Sequence, residues 1–216
     1  MRRRAPERGA PIDPGTTALL VIDVQKGIYH PGATEARPYF HRTATEVAIP
    51  NMARLIAAAR AAGAEIVYTV IQSLTRDGRD RSLDYKQTGF HFPPGSEEAE
   101  VCDEVAPAPD EMVLPKTSSS LFNSTAFDYL MRNIGIDTIL VTGFLTDQCV
   151  DHTVRDGADR GFRMICVSDA CTTDTEARHV AALAAFKGYC RTATTSDLLP
   201  EFTSPRGEAG PRSTSG

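Results

Sequence analysis

Residues 18–25 read Ala-Leu-Leu-Val-Ile-Asp-Val-Gln, and this stretch begins with the first apolar run of the chain, residues 18–22. Its apolar residues are continuous rather than alternating, which is typical of a strand buried on both faces of a parallel sheet. Five further runs, most of them rich in β-branched residues, follow the same pattern; they lie at residues 66–71, 112–114, 138–142, 164–167 and 189–192. The sequence therefore predicts a sheet of six strands.

Helical patterns fill most of the intervals between these runs. Segments 45–62, 123–133, 147–160 and 175–187 carry apolar residues at helical spacing, and a glycine follows each within two residues. Strands that alternate with helices predict an α/β fold, a three-layer α/β/α sandwich around a central, mainly parallel six-stranded sheet with right-handed crossovers. The polar segment 72–109 interrupts this rhythm, and a loop of that length is usually functional or disordered.

Length and composition favour one domain in a reducing compartment. The 216 residues predict a single domain at 13–202, a flexible basic arm at 1–12 and a flexible tail at 203–216. The net charge of −5 argues against binding of nucleic acid. The sequence contains no run of eighteen apolar residues, so no membrane span is expected. The five cysteines form no Cys-x-x-Cys pair, so free thiols and a cytoplasmic location are expected.

Three chemically useful side chains follow predicted strands. Asp23 ends the first strand, Lys116 follows the third, and Cys149 opens the helix after the fourth. Ligands of open α/β sheets bind beyond the carboxyl ends of the strands, so an acid, a base and a thiol are predicted on one rim. Taken singly, each has an ordinary alternative: Asp23 as a turn or cap residue, Lys116 as a solvated lysine and Cys149 as a packed thiol.

Each of these residue types has a task in nucleophilic catalysis. A helix N-terminus and the Lys116 cation are expected to lower the pKa of the Cys149 thiol. Asp23 can accept the thiol proton and return it to a leaving amine. The backbone N–H groups of Leu145 and Cys149 are candidates for an oxyanion hole.

The same residues lie in three motifs that resemble the isochorismatase-like cysteine hydrolase superfamily. The first motif is residues 18–25, and the second is Leu114-Pro115-Lys116 with Ser120, Phe122 and Asn123 downstream. The third is a Gly-x-x-Thr-x-x-Cys-Val element at residues 143–150. The resemblance covers roughly residues 15–200 and implies the Rossmann-like fold of that superfamily.

The resemblance also implies a function. It implies a triad of Asp23, Lys116 and Cys149, and a non-proline cis peptide at Phe144–Leu145 that aims the Leu145 N–H into the oxyanion hole. Relatives with this cysteine cleave a C–N bond of a small amide, carbamoyl or ureido substrate through a thioester and release ammonia or an amine. Ureidoacrylate, N-carbamoylsarcosine and biuret hydrolases are examples. The family also implies a homo-oligomer, either a dimer or a tetramer.

Departures from sibling groups narrow the reaction. True isochorismatases of this family lack the nucleophilic cysteine, so Cys149 argues against vinyl-ether hydrolysis. Nicotinamidases carry a metal site with an Asp-x-His motif after the second strand, and residues 69–74 contain no such motif. We therefore expect no metal and no cofactor. For His152, one turn past the thiol, we expect packing or a helix-surface role rather than catalysis.

The substrate pocket is less well defined by the sequence. Candidate pocket residues, chosen by position alone, are Gln25, Tyr29, Gln72, Phe122, Asn123 and Phe144. Two interpretations of the loop residues Arg76, Arg79, Arg81 and Lys86 are equally plausible: they bind an anionic or polar substrate, or they lie on a solvated surface. Two alternatives remain open: a catalytically impaired binding or regulatory member of the same fold, and a hydrolase of a non-amide substrate.

Overall fold

The computed structural model describes residues 7–30 and 35–203. Residues 1–6 of the predicted arm and the predicted tail beyond residue 203 lie outside these ranges. Part of the segment assigned to the arm packs on the domain. The Ile12 side chain is buried, and its N–H donates to Glu201 Oε2 at 2.9 Å.

The six predicted strands all form, and they make one sheet in the order β3-β2-β1-β4-β5-β6. Every pairing in the sheet is parallel, which confirms and sharpens the mainly parallel prediction. The strands are β1 (Thr17–Ile22), β2 (Glu65–Ile71), β3 (Met112–Lys116), β4 (Thr138–Phe144), β5 (Arg163–Thr172) and β6 (Cys190–Ala193). The two central strands, β1 and β4, are buried along their whole length, as the continuous apolar runs predict.

Helices cover both faces of the sheet. They are α1 (Pro38–Thr43), α2 (Ile49–Ala62), α3 (Leu83–Thr88), α4 (Leu121–Ser124), α5 (Phe127–Asn133), α6 (Asp151–Asp159), α7 (Glu176–Phe186) and α8 (Thr195–Thr203). Side chains of α1, α2 and α8 share one apolar core with alternate residues of the central strands. Side chains of α4, α5, α6 and α7 form a second core against the remaining strand residues. This arrangement confirms the three-layer sandwich.

The helix boundaries differ from the prediction in ways that side-chain chemistry explains. The segment predicted as one helix at 123–133 is divided into α4 and α5 because Thr125 adopts an extended conformation and its hydroxyl accepts from the Phe127 N–H at 3.1 Å. Helix α2 is preceded by a π-helical turn, Ala44–Ala48. Gly63 follows the last residue of α2 with a φ of 69°, a left-handed conformation that glycine adopts easily because it has no Cβ. Helices α1, α3 and α8 were not predicted.

The connection between β2 and β3, residues 72–111, is ordered although it has little regular structure. It contains α3, two 3₁₀ turns (Glu97–Ala99 and Asp103–Val105) and one antiparallel bridge from Val101 to Gln25. The bridge fixes the second half of the connection beside the end of β1. Within the described ranges, no helix is long and apolar enough to cross a bilayer.

Candidate active site

Asp23 leaves the carboxyl end of β1 in a left-handed conformation. Its φ is 55°, which is uncommon for a residue with a Cβ. The backbone N–H of Asp23 donates to the Thr69 carbonyl at 3.0 Å, and Oδ1 accepts from the Thr69 hydroxyl at 2.8 Å. Both contacts come from β2, the neighbouring strand. They fix the carboxylate at the rim and leave Oδ2 for a third partner.

Lys116 is that partner. It ends β3, two strands away from β1, and its side chain is fully buried. The ammonium Nζ lies 2.9 Å from Asp23 Oδ2 and 3.3 Å from Cys149 Sγ. It also donates to the Ser118 carbonyl at 3.0 Å. A single cation therefore bridges the acid and the thiol.

Cys149 reaches the same point from β4. A π-helical turn, Thr146–Val150, follows the strand and leads into α6, so the thiol lies at the start of a helix as predicted. Gly143 has a φ of 111°, and a Cβ at this position would collide with the backbone of Ile22. Glycine is required because β4 passes directly against the end of β1 there. The peptide bond between Phe144 and Leu145 is cis, as expected, and the role of the Leu145 N–H in an oxyanion hole stays a prediction.

The thiol pKa contradicts the sequence interpretation. Burial raises the pKa of Cys149 to about 11, although the Lys116 cation acts in the opposite direction. The helix start and the cation were expected to lower it, and burial outweighs them because a thiolate loses its hydration. Burial lowers the pKa of Lys116, but the charge of Asp23 leads the effects that raise it, and the net shift is upward. The resting cluster is thus a neutral thiol beside an ion pair.

A cavity of about 260 Å³ opens onto this cluster. Of the predicted site residues, it brings together Asp23, Phe144, Leu145 and Cys149. Its remaining lining residues are Ile28, Arg37, Ile71, Phe90, Gln148 and Asp174. The cavity wall therefore combines apolar side chains with polar and charged ones, and the acid and the thiol belong to it. This is the usual character of a small-molecule site.

Besides Asp23, the charged residues of the cavity wall are Arg37 and Asp174. Arg37 Nε lies 2.5 Å from Asp174 Oδ1, and the guanidinium stacks 3.9 Å from the centre of the Phe40 ring. Arg178 holds the other carboxylate oxygen of Asp174 at 2.7 Å and also contacts Asp147 Oδ2 at 2.5 Å. This chain of ion pairs links the cavity wall to the turn that carries Cys149. The sequence interpretation missed it because its members are far apart in the chain.

The other predicted pocket residues lie outside this cavity. Gln25 is fully buried, and its amide bonds the backbone of Ile71 and Glu98. Tyr29 lines a separate cavity and bonds Thr45. Gln72 borders a third depression beside Pro115.

Two predicted pocket residues lie on the α4 side of the site. Phe122 packs in the core against Phe127 and Phe162. Asn123 and His152 line a hydroxyl-rich depression that shares Phe90 and Gln148 with the Cys149 cavity. Asn123 and His152 therefore lie next to the cavity of Cys149 but do not line it.

The basic residues of the connection also lie elsewhere. Arg79 pairs with Asp77 on the surface, and Lys86 donates to the Arg79 carbonyl at 2.8 Å. Arg81 donates to the carbonyls of Gly78 and Phe90 and so ties the connection to itself. None of these, and not Arg76, is among the lining residues of the cavity. Arg37 is the arginine that the fold places there.

Tyr85 is the main residue that sequence reasoning missed. It comes from α3 in the long connection and is almost completely buried. Its hydroxyl oxygen lies 2.7 Å from Lys116 Nζ and 3.6 Å from Cys149 Sγ. No sequence pattern in residues 72–109 indicates that a tyrosine would fold back onto the rim. Among the residues that the structure describes, no group of three or more His, Cys, Asp or Glu side chains could hold a metal ion.

A buried acid–lysine–cysteine cluster at the carboxyl edge of a parallel sheet, open to a small cavity, defines an α/β cysteine hydrolase of small molecules. The family comparison agrees. The sequence model of the isochorismatase domain matches residues 17–197, and the chain belongs to the isochorismatase family.

Two similar proteins are named as amidohydrolases. The chain is 32% identical to the ureidoacrylate amidohydrolase of Methylobacterium radiotolerans over 206 residues, covering 83% of this chain and 77% of the relative. It is 34% identical to the N-carbamoylsarcosine amidase of an Arthrobacter species over 153 residues, which is 68% of this chain and 56% of that amidase. Both of these relatives are therefore hydrolases of non-peptide C–N bonds.

Solved structures share the fold over nearly the whole domain. A cysteine hydrolase from Pseudomonas syringae pv. phaseolicola superposes with a TM-score of 0.79 at 25% identity, covering 92% of this chain and 97% of the other. The N-carbamoylsarcosine amidase of Thermoplasma acidophilum gives 0.69 at 27% identity, covering 83% and 96%.

Proposed function

We propose that this protein hydrolyses a C–N bond of a small amide, carbamoyl or ureido compound, with Cys149 as the nucleophile. The observation that carries the proposal is the bridging position of Lys116, 2.9 Å from Asp23 Oδ2 and 3.3 Å from Cys149 Sγ. A fully buried ammonium with these two neighbours can hold a carboxylate as a base and also stabilise a thiolate.

The first half of the reaction forms a thioester. Asp23 accepts the proton of Cys149 as the sulfur attacks the substrate carbonyl carbon, so the thiolate forms only as it is consumed. This order suits a thiol whose pKa is raised to about 11. The carbonyl electron pair moves to oxygen, where the N–H groups of Leu145 and Cys149 donate to it. The C–N bond then breaks, and Asp23 gives its proton to the departing ammonia or amine.

The second half regenerates the enzyme. Asp23 accepts a proton from water while the hydroxide attacks the thioester carbon. The C–S bond breaks, and the sulfur recovers the proton from Asp23. Side chains, backbone and water supply every group in this cycle, so it requires neither a metal nor a cofactor. We also propose that the protein forms a homo-oligomer, a dimer or a tetramer, as the family resemblance implies.

The test is an ammonia-release screen over N-carbamoyl amines, ureido acids and primary amides. With any substrate found, we expect Cys149→Ala to lower kcat/KM by about 10⁴-fold or more, because the nucleophile is lost. Cys190→Ala, a buried thiol on β6 remote from the cavity, is the matched control and should keep wild-type turnover. A mass increase on Cys149 alone during turnover would mark the thioester.

Retention of more than a tenth of the wild-type activity in Cys149→Ala would contradict the proposal. Turnover without nitrogen release would point instead to a non-amide substrate. Binding of the panel compounds without turnover by the wild-type protein would point to an impaired binding member of the fold.

A further inference from the structure

The connection between β2 and β3 places a phenol against the sulfur of Cys149. Ser82 caps the N-terminus of helix α3, and its hydroxyl accepts from the Tyr85 N–H at 3.1 Å. The Ser82 N–H donates to the Thr117 carbonyl at 2.8 Å, so α3 is fixed to the residue that follows Lys116. Tyr85 is only 1% exposed. Its position is therefore set by the same strand end that positions the ammonium.

The hydrogen-bond donors around Lys116 determine which way the Tyr85 proton points. An ammonium has three N–H donors and cannot accept. Lys116 Nζ has Tyr85 Oη at 2.7 Å, so the phenol oxygen is the acceptor of that bond. The phenol's own proton must go to another atom. Cys149 Sγ lies 3.6 Å from Oη, within the range of a hydrogen bond to sulfur.

Lys116 uses its three N–H donors on three acceptors. Nζ donates to Tyr85 Oη at 2.7 Å, to the Ser118 carbonyl at 3.0 Å and to Cys149 Sγ at 3.3 Å, and Asp23 Oδ2 lies 2.9 Å away as the ion-pair partner. The contact to the sulfur is the longest of the four, and the ammonium has no further proton to give it. A second donor to the sulfur must therefore come from another group.

The phenol remains protonated in this position. Burial is the main cause that raises the pKa of Tyr85 above its ordinary value, and Lys116 only partly offsets it. Tyr85 is therefore a donor and not a base at neutral pH.

We propose that Tyr85 is a further catalytic residue, whose phenolic O–H donates to the sulfur of Cys149 whenever negative charge builds up there. Charge builds up twice: as Asp23 takes the thiol proton before attack, and as the C–S bond of the thioester breaks. The phenol keeps its proton throughout, so no bond to Tyr85 forms or breaks. The inference rests on the proposed function, which makes Cys149 the nucleophile.

The proposal gives the long connection a chemical role. The Tyr85 ring contacts Phe90, with ring centres 5.4 Å apart, and Phe90 lines the cavity. One segment thus supplies both a wall of the cavity and a donor beneath the thiol.

The test is Tyr85→Phe, which removes the hydroxyl and keeps the ring. We expect kcat/KM to fall about 10- to 100-fold, as for loss of one hydrogen bond to a charged group. The pH midpoint of Cys149 alkylation by iodoacetamide, followed by peptide mass mapping, should rise by about one unit because the thiolate loses a donor. Tyr68→Phe, a fully buried tyrosine on β2, is the matched control and should leave both measurements unchanged.

A second variant tests the opposite direction. Incorporation of 3,5-difluorotyrosine at position 85 keeps the phenol but makes it a stronger donor, and the alkylation midpoint should move down. An unchanged midpoint in both folded variants, or activity of Tyr85→Phe within twofold of the wild type, would overturn the inference. If Tyr85→Phe fails to fold, the fluorinated variant decides the test. A lower alkylation midpoint supports the role of Tyr85, and an unchanged or higher midpoint contradicts it. Alkylation needs no substrate, so Tyr85 can be tested even if the proposed function fails in the ammonia screen.

Discussion

Two regions meet at the candidate active site, and they are held in place by different forces. The strand ends bring Asp23, Lys116 and Cys149 to one rim through the backbone ladder of a parallel sheet. The connection at residues 72–111 brings Tyr85 and Phe90 to the same place without pairing as a strand of the sheet. Its position depends on individual hydrogen bonds from backbone and side chains, such as the Ser82 N–H to the Thr117 carbonyl and the bridge between Val101 and Gln25.

The difference shows what each region can tolerate. A strand end is positioned by many equivalent bonds, so its side chains can be replaced while the backbone stays in place. The connection depends on separate contacts, and the Gln25 amide makes one of them. That amide donates to the carbonyls of Ile71 and Glu98 at 3.0 and 2.9 Å and accepts from the Ile71 N–H at 2.6 Å. Gln25, predicted as a pocket residue, thus joins the strand ends to the connection.

The largest effect on stability is expected from the ion pair at the strand ends. Asp23 and Lys116 are almost completely buried, so Asp23→Asn or Lys116→Met leaves an unpaired charge in the interior. We expect each to lower the free energy of unfolding by about 3–5 kcal/mol, measured by urea denaturation. The double variant removes both charges and should lose less than either single variant.

The double-mutant cycle separates this cause from loss of packing. Additive losses in the double variant would show that Asp23 and Lys116 are not coupled. The stability of the strand ends would then not depend on this ion pair.

A smaller loss is expected when the attachment of the connection is cut. Gln25→Leu keeps the side chain's approximate size but leaves buried backbone groups without partners, at a cost of about 1–3 kcal/mol. Limited proteolysis should then cleave within residues 72–111 before the sheet unfolds. Gln87→Leu, an exposed position on α3, is the control and should change neither measurement. Uniform protection of the connection in Gln25→Leu would show that other contacts hold it.

The smallest effect concerns pH, because both regions bury a thiol. Burial raises the pKa of Cys102, in the connection, to about 12, and that of Cys149 to about 11, from an ordinary value of 9.0. Unfolded thiols ionise first as pH rises above 9, so the unfolded state binds fewer protons, and stability falls from pH 9 up to about 11 for Cys149 and about 12 for Cys102. Cys102→Ala should make this slope shallower, by up to about 1.4 kcal/mol per pH unit.

That slope is measured by urea denaturation at several alkaline pH values. Because stability is compared across pH within each variant, the cavity left by the missing sulfur cancels. An identical slope in Cys102→Ala and wild type would indicate that this thiol already ionises near its ordinary value in the folded protein.

The sequence predicted the strands better than the helices, for a physical reason. A strand buried on both faces must be apolar throughout, so β1 and β4 are visible as continuous runs. Helices α3 and α8 are short or carry an internal proline at position 200, and their existence depends on what they pack against. The division between α4 and α5 depends on the hydroxyl of Thr125, which periodicity does not reveal.

The charge state of the thiol was the clearest error. The sequence shows a lysine and a helix start near Cys149, and both favour a thiolate. It does not show how completely the thiol is buried, and burial raises the pKa to about 11. The free energy of desolvation depends on all the surrounding atoms, so only the packed structure reveals its size.

What the sequence determined by itself was the order of the strands' apolar runs and the identity of the residues that follow them. In a parallel sheet those positions share one edge, so Asp23, Lys116 and Cys149 had to approach one another. The tertiary structure alone decided that Tyr85 completes their surroundings, that Gln25 supports the backbone and that Arg37 lines the cavity. These contacts join segments far apart in the chain through side-chain hydrogen bonds and packing, which leave no periodic pattern in the sequence.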